Sequence, residues 1–162
     1  MVAISVVHHP DQPTAGVRRQ VPLDEMTEFF AHAFSETLAV LREQGVAAAG
    51  PPFGKYYGMP GALVDVEAGF PVGSPVTPDG EVVPGDLPAG RVVEAEHVGP
   101  YDTLQETYAE LQKHFAASGL VPSDVMWESY LSDPDENPDP ATWRTRVCWP
   151  VVESLTAGAA AS

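Results

Sequence analysis

The order strand, helix, strand, strand occurs twice along this chain, with like residues at matching points, and nothing else in it restricts the fold as much. The first helix is read over residues 23–44, where Met26, Phe30, Ala33, Thr37 and Leu41 fall on one stripe. Phe29, Phe34 and Leu38 widen that stripe, Asp24 is the expected N-cap and Gly45 the expected stop. The second helix is read over residues 102–118. Leu104, Tyr108, Leu111 and Phe115 form its core stripe, Thr103 and Glu106 read as a capping box, and Gly119 ends it. Apolar, β-branched segments at 3–8 and 16–21 precede the first helix, and segments at 53–57 and 62–72 follow it, with a turn at Met59, Pro60 and Gly61. Residues 91–98 form the strand before the second helix. The stretch around Glu128 and residues 142–152 form the two after it.

The two units also match residue by residue. Phe53, Lys55 and Tyr57 correspond to Met126, Glu128 and Tyr130, and Phe70-Pro71-Val72 to Trp149-Pro150-Val151. Residues 73–90, dense in proline and glycine, read as a linker between halves at about 1–72 and 91–152. One helix can cover only one face of its sheet, so two such units side by side leave a concavity between them. The expected architecture is therefore α+β: a single domain over 1–154, a tandem repeat of two β-α-β-β units about a pseudo-twofold, with a central ligand cleft. Residues 155–162 are an expected fraying tail. Asp65 and Glu67 match Arg144 and Arg146, either as ion pairs at the seam or as separate solvated faces.

Charge narrows the partners. Eight Lys and Arg stand against 23 Asp and Glu, a formal net charge of −15. Neither nucleic acid nor an anionic membrane suits such a chain, whereas a cationic ligand does. No apolar run is long enough to span a bilayer, and a cytoplasmic protein is expected. Cys148 is the sole cysteine, which leaves no internal disulfide and no cysteine-based zinc site. His8 and His9 are adjacent on a strand and point to opposite faces, so with Asp11 they make no metal site. Asp133, Asp135, Asn137 and Asp139 imitate a calcium loop, but Pro138 stands where the turn needs glycine. His97 precedes a Gly-Pro-Tyr turn that it is placed to hydrogen-bond. Neither a metal nor a cofactor is expected, and no phosphate loop, dinucleotide fingerprint or nucleophile elbow is present.

The most informative strand is VMWESYLSDP, from residue 125. Alternation puts Met126, Glu128 and Tyr130 on one face and Val125, Trp127 and Ser129 on the other. A carboxylate between a thioether and a phenol either sits on an exposed edge or, on a covered face, needs a partner from a neighbouring arginine or from a cationic ligand.

The segments PAGRVVEAEHVGPYDTL, MWESYLSDP and TRVCWPV, with GVAAAGPPFGKYYG in the first half, resemble the GyrI-like small-molecule-binding domain superfamily. That superfamily includes effector-binding domains of AraC-type regulators and of multidrug-sensing MerR-type regulators. The resemblance implies a tandem of two β-α-β-β units and places the acid of WESYL, Glu128, at the floor of a cleft that takes hydrophobic, cationic small molecules. Phe53, Tyr57 and Tyr130 by face alternation, with Met126, Trp143 and Tyr101, complete the candidate site. Lys55 occupies the position matched to Glu128 and would pair with it if it entered the same cleft. The domain begins almost at Met1, so a stand-alone binder without a DNA-binding region is expected. Two alternatives stand beside it. One is a hydrolase of cyclopropane-bearing electrophiles, with Glu128 as general base and Tyr57 or Tyr130 as donor. The other is a protein-binding inhibitor of the gyrase-inhibitor type.

Overall fold

A computed structural model describes residues 3–58, 61–132 and 138–152. Met59 and Pro60 of the expected turn, Asp133, Asp135 and Asn137 of the acidic loop, and the tail lie outside them. Eight antiparallel strands form one sheet: β1 (Ala3–His9), β2 (Gln12–Pro22), β3 (Phe53–Tyr57), β4 (Leu63–Pro71), β5 (Val83–Leu87), β6 (Gly90–Val98), β7 (Val125–Tyr130) and β8 (Arg144–Pro150). Helix α1 (Met26–Gln44) follows β2, and α2 (Leu104–Ser118) follows β6. The strand order is β1-β6-β8-β7-β3-β4-β2-β5. Helix α1 lies between β1–β2 and β3–β6 in chain order, α2 lies between β6 and β7, and the strands directly after the helices, β3 and β7, pair at the centre.

Both helices pack on the same face of the sheet. Under α1, Phe29, Ala33, Val40 and Leu41 meet Ala15, Val17 and Val21 of β2 and Val64, Val66 and Ala68 of β4. Under α2, Leu111 and Phe115 meet Val93, Ala95 and Val147. Both helices stop where a glycine takes the left-handed conformation, Gly45 at φ 68° and Gly119 at φ 76°. Their starts differ from expectation. A short 3-10 turn, Leu23–Glu25, leads into α1, so Asp24 is not its cap, and Thr103 stands at the start of α2 without a side-chain cap bond. The Thr103 hydroxyl donates instead to the Pro100 carbonyl at 2.8 Å, beside His97, whose Nε2 donates to the same carbonyl at 3.1 Å.

The opposite face carries no helix, yet Phe53, Val92 and Trp127 on it are buried. Leu87 of edge strand β5 and Val7 of edge strand β1 join the cluster that these residues form with Cys148. A flat sheet cannot bring both of its edges to its centre, since neighbouring strands lie about 4.8 Å apart. The sheet therefore curls, and its helix-free face closes on itself.

The proline- and glycine-rich segment does more than link. Val83–Leu87 adds a strand to β2, while Val76 and Val82 are buried in the cluster under α1. Backbone pairing to an existing edge makes a strand there despite the weak apolar pattern. Among the described residues the matched charges pair elsewhere: Arg18 holds Asp65 through two bonds of 2.9 Å, and Arg144 pairs with Glu96. Among the described residues, no helix is long and apolar enough to cross a membrane.

Candidate functional site

Alternation along β7 sends Met126, Glu128 and Tyr130 toward the helices, and the register of β3 against β7 decides what joins them. Gly54 lies opposite Glu128, Tyr56 opposite Met126, and Lys55 opposite Trp127. The helix side at the centre therefore holds Gly54, Tyr56, Met126, Glu128 and Tyr130. A cavity of about 680 Å³ opens above this floor. Tyr56, Met126, Glu128, Val64 and Trp149 come from the sheet, Tyr108 and Gln112 from α2, and Leu23 and Met26 from the start of α1. The volume lies within the range usual for small-molecule pockets, roughly 300–1,000 Å³.

Glu128 is only 6% exposed. Its carboxylate accepts from the Tyr108 hydroxyl at Oε2 and from the Tyr130 hydroxyl at Oε1, the latter at 2.8 Å. The Tyr56 phenol from β3 stands nearby and adds a smaller pull toward the ionised form. Burial raises the Glu128 carboxyl above the ordinary glutamate range, and the bonds from Tyr108 and Tyr130 and the nearby His97 oppose that rise without cancelling it. Burial and the adjacent carboxylate push the Tyr56, Tyr108 and Tyr130 phenols upward, so all three remain donors. No ion pair to Glu128 forms among the described residues. The site is a desolvated carboxylate held by neutral hydroxyls at the floor of a largely apolar hollow.

Three expected neighbours of Glu128 lie elsewhere. Phe53, Lys55 and Tyr57 project from the other face of β3, because the true register is one residue out of step with the sequence correspondence. Phe53 is buried against Trp127 in the helix-free core. The Lys55 ammonium donates to the Asp86 carbonyl at 2.7 Å, and the Tyr57 hydroxyl to Glu67 at 2.5 Å. Lys55 therefore does not neutralise Glu128, and Tyr57 is no donor to a group reacting there. Tyr101 and Trp143 stack at 4.9 Å between centroids, and Tyr101 meets Tyr130 edge-on at 5.9 Å. They back the Tyr130 ring and are not among the residues lining the cavity.

Sequence reasoning missed Tyr56, Tyr108 and Trp149. Tyr56 lies on the face of β3 opposite to that of Phe53, Lys55 and Tyr57. Tyr108 does lie on the core stripe of α2, but at the point where the helix passes over the hollow. Gly54 was missed as well. A Cβ there would come 2.7 Å from the Tyr130 hydroxyl and 2.9 Å from Phe30 Cε1, so only glycine leaves Tyr130 its place beside Glu128.

The chain belongs to the GyrI-like small molecule binding domain family, which it matches over residues 3–152. No curated protein matches it. Among solved structures it is similar to the EcmrR C-terminal domain, at 19% identity and a TM-score of 0.80, covering 95% of this chain and 99% of that one. Against EcmrR in its complex with DNA the TM-score is 0.81 at 21% identity, covering 94% of this chain and 58% of that one. SAV2435 bound to tetraphenylphosphonium gives a TM-score of 0.67 at 9% identity, with 96% of each chain covered. A hydrolase encoded by lin2189 from Listeria innocua gives 0.61 at 17%, with 91% of each covered. At such identities the likeness is one of fold.

Proposed function

We propose that this GyrI-like domain binds hydrophobic, cationic aromatic small molecules in the cavity beneath its helices, with Glu128 as the charge partner. The observation that carries the reading is a carboxylate almost sealed from water, facing an apolar hollow, and held by phenols rather than by a cation. Burying a charge is costly, and a cation entering the hollow offsets that cost where water cannot. Tyr56, Tyr108 and Trp149 offer ring faces and edges, and Met126 a polarisable surface. SAV2435, which shares the fold, was solved with tetraphenylphosphonium, a lipophilic cation. The protein acts as a sequestering or sensing module.

Titration with a fluorescent rhodamine cation tests this directly. Binding in the micromolar range is expected, weakened by roughly 10-fold or more in Glu128→Gln, which is about 1.4 kcal/mol. Unchanged affinity in that variant overturns the assignment.

A second reading rests on the raised Glu128 carboxyl beside phenol donors, an arrangement suited to activating water against an electrophile. Tyr108 or Tyr130, not Tyr57, would then donate to the electrophile's carbonyl. Ring opening of a cyclopropane-bearing alkylating agent by the wild type and not by Glu128→Gln supports hydrolysis. No turnover above that control excludes it.

A further inference from the structure

The helix-free face brings three metal-ligating side chains of different chemistry to one point. His9 comes from β1, Glu94 from β6 and Cys148 from β8, three adjacent strands of the sheet. Glu94 and Cys148 are directly opposite each other in the β6–β8 register, and Trp127 is opposite Cys148 on β7. His9 leans in from the edge strand, its ring edge-on to Trp127 at 6.1 Å between centroids. His9 Nε2 donates to Glu94 Oε2, Cys148 Sγ lies 3.9 Å from the same oxygen, and the three ligand atoms all lie within 4.8 Å of one another.

Zinc bonds of about 2.0–2.3 Å to imidazole, carboxylate and thiolate set tetrahedral ligand atoms roughly 3.2–3.8 Å apart. Closing this trio onto one ion asks for shifts of about an ångström at side-chain tips. We propose that His9, Glu94 and Cys148 form a three-ligand site for a divalent transition metal, zinc foremost, with a fourth position open to water or a ligand.

The chemistry of the set supports this choice. Imidazole with thiolate suits zinc and its neighbours and does not suit magnesium or calcium, which take oxygen. Ionised Glu94 and the Cys148 thiolate together balance a dication, with His9 neutral. Binding sends the thiol proton to solvent. The side chains of His9 and Glu94 are 28% and 19% exposed, which provides an entry path, while Cys148 forms a buried base. A nucleophilic cysteine would need an imidazole against its sulfur. Here sulfur and imidazole both turn to one carboxylate oxygen, so the donors converge on a point instead of forming a relay. The lone cysteine suggested no zinc site in the sequence because Glu94 stands 54 residues before it and His9 another 85 before that, each on a separate strand.

Cobalt(II) is the probe. Titrated into chelator-treated protein, it should bind at one equivalent and give a thiolate-to-cobalt charge-transfer band that zinc(II) removes. Cys148 is the sole cysteine, so the band has one source. The band should vanish in Cys148→Ser, and His9→Gln should weaken binding by about 10-fold or more. His8→Gln, at an exposed position on the other face, should leave it unchanged. Absence of the band in the wild type overturns the site, as does its survival in a folded Cys148→Ser protein. Should circular dichroism show Cys148→Ser unfolded, unchanged cobalt affinity in His9→Gln overturns it instead. Glu128→Gln keeps full cobalt binding, so this test stands or falls apart from that of the cavity.

Discussion

Lys55 and Glu128 lie on paired strands but leave opposite faces of the sheet, since Gly54 and not Lys55 stands across from the acid. The ammonium is consumed on the helix-free side by the Asp86 carbonyl, with the Asp86 carboxylate 3.8 Å away. The ammonium thereby leaves the buried acid on the helix side un-neutralised.

Replacing Lys55 should separate stability from binding. Lys55→Met removes a buried donor and should cost about 1–3 kcal/mol in chemical denaturation. Rhodamine affinity should stay within about 2-fold, because the substituted side chain lies across the sheet from the cavity. A large gain in affinity would mean that the ammonium competes for Glu128.

Cation affinity should fall with acidity through the raised Glu128 value, since protonation removes the charge that the ligand meets. The Tyr108 hydroxyl bonds the ionised form and holds that value down. Tyr108→Phe should therefore move the midpoint of the affinity–pH curve upward, read by dye titration across pH. An unmoved midpoint would show that this hydroxyl does not bond the carboxylate in solution.

The same acid should weaken the fold at neutral pH. A carboxyl whose folded value lies above its unfolded value binds its proton more tightly when folded. Its contribution to stability therefore declines as pH rises from the ordinary glutamate range through the raised value, and is level above it. Glu128→Gln removes that loss and keeps an oxygen for the phenols. It should raise stability at pH 7 by on the order of 1 kcal/mol, in thermal or urea unfolding, while binding suffers.

Gly54→Ala tests the floor of the cavity. The added methyl meets the Tyr130 hydroxyl and the Phe30 ring, and must displace one of them. Stability should fall by about 1–3 kcal/mol, and dye affinity several-fold as Tyr130 leaves Glu128. A neutral substitution would show that Tyr130 has freedom to move aside.

The residues by themselves determined both helices, their glycine stops, seven of the eight strands and the face that Glu128 shares with Met126 and Tyr130. These follow from periodicity within one segment, and periodicity is a local property. The eighth strand, β5, is apolar enough only once β2 offers it an edge. What surrounds Glu128 was settled by the packing of segments against one another. A one-residue change in register turns every side chain of a strand to the other face, which is how Tyr56 displaced Lys55 and Tyr57. Tyr108 enters through the placement of α2 over the sheet. His9, Glu94 and Cys148 meet because three strands lie side by side and the sheet curls.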